Sequence, residues 1–387
     1  MYPAGISFGD GLLMKKAFYY LTHWESWHWF AKYIIIGPAW VWLCIKAKSL
    51  WFFTPSNPGI TFGGFLGETK KQVYHQLPAG SFPKSIFIDP KQTFAEVEQS
   101  ALLNGFTYPI VVKPDVGMMG LMFRKVETRQ QLRQYHAAMK VEYIVQEYID
   151  YPIEVSVFYY RMPGDTKGRI TGFIRKECMQ VTGDGVSTLK NLILKYERAQ
   201  FRTEELFSKH EGKLNSVLRD GETFILSDAL NLSRGGRLVN LEHEKDERLL
   251  AVFDQLSHHT NFFYGRYDIK CRSVEDLRQG KNFSILEFNG CGGEAHHVYS
   301  GFSFLRACAI LIHHWNVLYK ISARNQKNGI ERWNYNEGTE FIRVARKHFD
   351  DLKKLDLSFS FATEKEKSIS RTIFPPARVA NLRKHVA

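Results

Sequence analysis

Two short segments in the C-terminal half constrain the fold most. Gly265-Arg266-Tyr267-Asp268-Ile269 and Phe283-Ser284-Ile285-Leu286-Glu287-Phe288-Asn289-Gly290 have the apolar content of buried, adjacent strands, yet both carry carboxylates. Period-two alternation puts Glu287 and Asn289 on one strand face. With Asp268 on the neighbouring strand they form an all-oxygen set of two carboxylates and an amide. Hard oxygen donors of this kind are what magnesium takes, with room left for phosphate oxygens. A solvated acidic face is the ordinary alternative. Ile285, Leu286 and Phe288 argue against it, because an acid on so apolar a strand needs a partner.

From about residue 82 the chain alternates short apolar strands with helical patterns, which predicts an α/β or α+β architecture. The expected organisation is an aromatic-rich N-terminal segment over 1–80, a small lobe over 81–150, a large lobe over 151–330, and a helical extension and tail over 331–387. The length of 387 residues suffices for such lobes.

Four further stations precede the acidic strands. Tyr108 to Pro114 reads as a buried strand carrying Lys113, followed by Gly117-Met118-Met119-Gly120 and a second strand over Leu121 to Val126. Backbone amides in such a loop can cover phosphates with Lys113 as a point charge, although glycines in hairpins are usually turn residues. The G-x-x-x-x-G-K-[ST] pattern is absent. In Tyr143-Ile144-Val145-Gln146-Glu147-Tyr148-Ile149 the strand backbone can read adenine, and Glu154 can take ribose hydroxyls; a surface glutamate is the alternative. Arg175-Lys176 can hold a γ-phosphate or a substrate carboxylate, ahead of the Gly183-Asp184-Gly185 turn and an apolar helical face at Leu189, Leu192 and Ile193. Asn231-Leu232-Ser233-Arg234-Gly235-Gly236 sets an amide, a hydroxyl and a cation beside glycines; a glycine turn with a stray arginine is the alternative. Glu294, His296 and His297 are candidates for substrate contact or proton transfer, although paired histidines are more often structural. His313 and His314 fall in an apolar helical pattern and are expected to pack in the core.

Residues 19–53 crowd Tyr19, Tyr20, Trp24, Trp27, Trp29, Phe30 and Tyr33 ahead of an apolar run interrupted by Lys46 and Lys48. The run is short for a membrane span unless those lysines snorkel, and Pro38 sits inside it. Aromatics with flanking lysines suit a membrane surface; packing of a small N-terminal core is the competing expectation. The Pro- and Gly-rich stretch 54–80 reads as a loop leading to a short helix, with Gly63, Gly64, Gly67 and Glu68 either lining a ligand site or forming a connector. A formal charge of +12 favours anionic partners. The basic residues are spread along the chain with no nucleic-acid signature, so nucleic acid is not an expected partner. Five widely spaced cysteines lack metal-finger or C-x-x-C spacing. They read as free thiols of a cytoplasmic protein, peripheral on the inner membrane face if the aromatic segment meets lipid.

Taken in order, V-V-K-P with its glycine loop, V-Q-E-Y-I, G-R-Y-D and L-E-F-N resemble the ATP-grasp superfamily. G-R-Y-D…L-E-F-N-G is similar to D-alanine–D-alanine ligase. V-T-G-D-G-V-S-T-L and N-L-S-R-G-G look more like cyanophycin synthetase and glutathione-synthetase-like ligases. The resemblance spans roughly 82–320 and implies two α+β lobes clamping ATP. It implies Lys113, Gly117 and Gly120 on phosphates, and Gln146, Glu147 and Ile149 at adenine. Asp268, Glu287 and Asn289 would hold one or two magnesium ions, with manganese able to substitute. Arg266, Arg234 and Lys176 would face the transferred phosphoryl group, and Arg175, Asn231, Ser233, Glu294 and His296 the substrates. The implied reaction joins a carboxylate to an amine (an amino acid, peptide or lipid amine) through an acyl-phosphate, releasing ADP and phosphate. An ATP-grasp phosphotransferase and a membrane-associated ATP-binding protein without ligase activity are the rival expectations. The chain departs from the D-alanine ligase pattern after Asn289, at Gly290-Cys291-Gly292-Gly293-Glu294-Ala295-His296-His297, and in its aromatic N-terminal segment.

Overall fold

The computed structural model describes residues 24, 27, 29–199, 202–227, 230 and 236–361. They divide into two units, one built from 1–84 with 149–346 and the other from 85–148 with 347–387.

The larger unit is organised on a five-stranded antiparallel sheet of order β11-β10-β5-β6-β9. Its strands are β5 (Ile153–Tyr160), β6 (Arg169–Glu177), β9 (Arg237–Asn240), β10 (Tyr264–Cys271) and β11 (Phe283–Asn289). Their inward positions are Val, Ile, Phe and Tyr, with Val155, Val157, Phe173, Tyr267, Ile269 and Ile285 shut off from solvent. Each such side chain contributes about 1.5–3 kcal/mol of burial. A two-stranded ribbon of β7 (Met179–Thr182) and β8 (Thr223–Ser227) packs with α5 (Leu189–Lys195) and α6 (Thr203–Lys209) around Met179, Leu189, Ile193 and Leu226. The side chain of Thr188 caps α5 by accepting from Asn191 N.

The expectation that the N-terminal segment packs in a core is met by one side of helix α1 (Trp29–Ala47). One side joins the core of the larger unit: Ile36 and Leu43 are buried, and Trp40 packs edge-on against Trp315 at 5.2 Å. Trp315 lies on α9 (Phe304–Lys327). Phe52, Phe53 and Phe62 continue this aromatic core, with Phe53 stacked on Phe65 at 4.5 Å. The other side of α1 faces solvent. Among the described residues no helix is long and apolar enough to cross a membrane. Tyr19 and Tyr20 lie outside the described residues, as do Asn231, Ser233 and Arg234. The short helix expected after the Pro/Gly stretch is α2 (Lys70–Tyr74), capped by the Thr69 side chain.

The smaller unit has a four-stranded antiparallel sheet of order β1-β4-β2-β3, formed by β1 (Ser85–Ile88), β2 (Ile110–Pro114), β3 (Arg124–Val126) and β4 (Tyr143–Glu147). Helices α3 (Phe94–Leu103) and α4 (Arg129–Ala138) supply Val97, Leu132 and Tyr135 to its core. A capping box between Thr93 and Glu96 starts α3. The end of α10 (Tyr335–Ser358) adds Leu352 to the same core.

The strand expected over Leu121 to Val126 begins only at Arg124, because Met119, Gly120 and Met122 take left-handed φ values of 51°, 74° and 53°. Successive residues there coil and cannot pair with β2. Of the two histidines expected in the core, His314 is buried against Phe158, whereas His313 is exposed; adjacent helical positions face different ways.

Candidate active site

Register fixes which side chains of the larger sheet meet. Asp268 lies opposite Glu287 and Arg266 opposite Asn289, so all four share one face. Beyond Asp268 the pairing jumps to Ile269 opposite Ile285, leaving Leu286 as the extra residue of a bulge. The Leu286 carbonyl accepts from the Tyr74 hydroxyl at 2.7 Å. On the other side of β10, Asp268 is opposite Ser156 and Lys270 opposite Glu154, and β6 brings Lys176 opposite Glu154.

Asp268 is the hub. It is 5% exposed, and its carboxylate accepts from Arg266 Nε and Nη2, both at 3.1 Å, and from Asn289 Nδ2 at 3.2 Å. The Ser156 hydroxyl also donates to it, and Lys176 Nζ lies 3.3 Å away. Lys176 bridges to Glu154 at 3.0 Å. Burial by itself would raise the Asp268 carboxyl, but the Arg266 guanidinium and Lys176 ammonium hold it well below the usual carboxylate range. Burial pulls the Lys176 ammonium down, the Asp268 and Glu154 carboxylates pull it up, and the net shift is upward.

Arg266 also donates to the Glu294 carbonyl at 2.7 Å, and the Tyr299 hydroxyl donates to the Glu294 side chain. His296 lies close enough to these charges that burial and Arg266 together depress its ring well below the ordinary value. Its Nδ1 is buried without a hydrogen-bond partner. Arg175 points away from this cluster, pairing with Glu177 at 2.5 Å, because adjacent strand residues face opposite sides. Glu154 holds Lys176, and the Ile149 carbonyl accepts from Lys270 Nζ at 3.0 Å.

In the smaller unit, Lys113 on β2 pairs across with Ile144 on β4, and Val111 with Gln146. Lys113 and Gln146 therefore share one sheet face, both largely buried. Gln146 Nε2 donates to Ser85 Oγ at 2.8 Å. Glu147 lies opposite Ile110, on the other face. Gly117 precedes the left-handed turn and Gly120 lies within it, where a side chain would meet open space.

The reading of 54–68 as a connector undervalues what that loop touches. Asn57 is fully buried. Its Nδ2 donates to the Gly63 and Tyr264 carbonyls, both at 2.9 Å, and its Oδ1 accepts from Phe263 N at 2.8 Å and Tyr264 N at 3.0 Å. Cys291 N and Gly292 N donate to the carbonyls of Gly63 and Gly64 at 3.1 and 3.0 Å. Gly64 has φ 74°, and a Cβ on it would come within 2.8 Å of Gly290 Cα. The loop thus forms a wall directly after β11 and delivers Glu68 to the neighbourhood of Glu287. Burial raises the Glu68 carboxyl above its ordinary value, and the Glu287 carboxylate adds to the rise. Ser156 is the other residue missed; its signal is the spacing of two from Glu154 on an apolar strand.

The donor set on β10 and β11 suits a hard divalent cation. Asp268 and Glu287 face each other, and Asn289, donating through its amide nitrogen to Asp268, keeps its amide oxygen for a metal. Among the described residues no group of three or more His, Cys, Asp or Glu is placed to hold a metal; the set here has two acids and an amide.

No family model matches the chain, and no curated protein matches it. Among solved structures it is similar to a bifunctional glutathione synthetase from Pasteurella multocida, with 15% identity, 61% of this chain and 34% of that one covered, and a TM-score of 0.39. A D-alanine–D-alanine ligase from Bacillus anthracis gives 17% identity, 67% of each chain and a TM-score of 0.35. The ATP-grasp ligase PsnB, solved with a minimal precursor, gives 16% identity, 64% and 60% coverage, and 0.33. The chain therefore spans about a third of the length of the first of these proteins.

Proposed function

We propose that this chain is an ATP-grasp carboxylate–amine ligase. The observation that carries the reading is the Asp268–Glu287 pair with Asn289 on one sheet face, set against the buried cations Arg266 and Lys176. Solvent-exposed strands do not need such a set, and a nucleotide triphosphate with magnesium does.

In this reading Lys113 and the Gly117–Gly120 turn serve the phosphates, Gln146 to Ile149 the adenine, and Glu154 the ribose. Asp268, Glu287 and Asn289 hold magnesium, which when bound supplies neutralisation of phosphate charge. A substrate carboxylate oxygen attacks the γ-phosphorus and ADP leaves. The amine nitrogen then attacks the acyl carbon, phosphate leaves with the bonding pair, and the ammonium proton passes to a base. Arg266 and Lys176 release Asp268 and turn their charge to the transferred phosphoryl group. Arg234, Asn231, Ser233, Glu294 and His296 remain proposed substrate-side groups, whereas Arg175, on the opposite face of β6, is not one.

The test is ADP release from ATP and magnesium across pooled amino acids, short peptides and amine-bearing lipids, with mass spectrometry of products. The expected result is a substrate-dependent ADP signal and a product lighter by one water than its two parents combined. Glu287→Gln should lower the rate by about 100-fold or more. ADP release that Glu287→Gln leaves intact removes the proposed metal site. A phosphorylated product with no condensation assigns a phosphotransferase instead.

A further inference from the structure

We infer that the solvent face of α1 is a peripheral anchor for an anionic lipid bilayer. Ile34, Ile35, Val41, Trp42 and Ile45 are each between 54% and 63% exposed, and Pro38 between them is exposed too. At about 100° per residue these six positions fall within an arc of about 120°, a continuous apolar stripe about 16 Å long. The opposite side is fixed in the core through Ile36, Leu43 and Cys44, so the stripe is held outward. Ordinary surface helices place polar residues on that arc. An exposed stripe of this size marks a contact surface.

Charge selects the occupant. Between Glu25 and Glu68 there is no acidic residue, while Lys32, Lys46 and Lys48 lie in or beside the helix. Lys46 and Lys48 are exposed at the C-terminal end of the stripe, with Leu50 exposed beyond them. Trp42 beside lysines is the arrangement that settles at headgroup depth, where the ring spans the apolar and polar layers. A second copy docked in parallel on the same stripe would bring Lys46 and Lys48 against their own counterparts, whereas anionic headgroups pair with them. The helix has 19 residues with Pro38 inside, and it lies on the bilayer without crossing it.

The full-length chain should co-sediment with vesicles of phosphatidylcholine mixed with phosphatidylglycerol, and more weakly with phosphatidylcholine alone or at raised salt. Ile35→Ser with Trp42→Ser, both exposed and so without effect on the circular dichroism spectrum, should weaken binding by about tenfold or more. Lys46→Gln with Lys48→Gln should reduce binding to the anionic vesicles only. The anchor is refuted if the wild type stays in the supernatant with both vesicles, or if the serine variant binds equally well. Sedimentation equilibrium showing a dimer that the serine variant dissociates, with no vesicle binding, assigns the stripe to self-association instead.

Discussion

Replacing Asn57 tests whether the N-terminal loop is part of the site's foundation. Its side chain makes four hydrogen bonds in a fully buried position, two as donor and two as acceptor. Asn57→Ala leaves the Phe263 and Tyr264 amides and two carbonyls without that partner. A buried donor left unsatisfied costs about 1–3 kcal/mol, and a carbonyl with a second lone pair in use costs less. The sum is about 3–5 kcal/mol against the wild type. At roughly 2–4 °C per kcal/mol for a unit of this size, the melting transition should fall by about 10 °C.

Asn57→Asp is the sharper variant, since it keeps the acceptor for both amides but turns an oxygen toward the carbonyls of Gly63 and Tyr264. Its damage should concentrate at the Gly63 side, opening the loop away from Gly290. Thermal unfolding followed by circular dichroism, with hydrogen exchange at the Phe263 and Tyr264 amides, reads both effects. A shift below about 2 °C for Asn57→Ala, with exchange at both amides unchanged, would refute the bridging role.

Gly64→Ala should cost about 2–4 kcal/mol through its left-handed backbone and the Gly290 contact, whereas Gly80→Ala, at φ 82° with open space around it, should cost only about 1 kcal/mol; urea unfolding compares them. If the proposed ligase reading holds, Lys176→Met should lower turnover by about 100-fold, while Arg175→Met, on the other sheet face, should change it less than about threefold. His297, depressed to about 4 by burial and then by Lys245, stays neutral when folded. Its folded value lies below the unfolded 6.5, so the stability it contributes is fully present above pH 6.5 and is lost as pH falls toward 4. The loss is about 3 kcal/mol. His297→Asn should remove that share, seen as a smaller wild-type-minus-variant stability difference at pH 4 than at pH 7.

The juxtaposition of Asp268 and Glu287 is legible in the sequence because two apolar strands, each carrying one carboxylate, are expected to lie side by side. Alternation then dictates that Glu287 and Asn289 face the same way. Which of Arg175 and Lys176 joins Asp268 is not legible, since the phase of β6 relative to β5 is set by long-range pairing. The dual character of α1 also escapes inspection: Trp40 and Trp42 are equally aromatic, and only the position of α9 decides which is covered. The role of the 54–68 loop depends on one asparagine reaching 207 residues along the chain. No local pattern announces such a contact.

The charge balance around Asp268 bears on mechanism. Arg266 and Lys176 are matched by Asp268 and Glu154, so these four ion-paired groups cancel in formal charge, with Glu287 on the same face left over. Such a cluster is a poor source of stability, because desolvating four ions offsets most of their attraction, and apolar replacements of similar volume often do as well. Its value lies in how it responds to a ligand. An incoming phosphate can take the two cations while a divalent ion takes the released carboxylate, so the buried charge stays compensated and no bare ion is created at any stage. The same exchange explains why a single substitution at this site should be costlier than the geometry of any one pair suggests: removing Asp268 strands Arg266 and leaves Lys176 only Glu154, whereas removing Lys176 leaves Arg266 still paired. Asp268→Asn should therefore destabilise the chain more than Lys176→Met, by about 1–3 kcal/mol. Millimolar phosphate should recover part of the difference by supplying the missing negative charge, and a variant pair of equal stability that phosphate leaves unchanged would rule this exchange out.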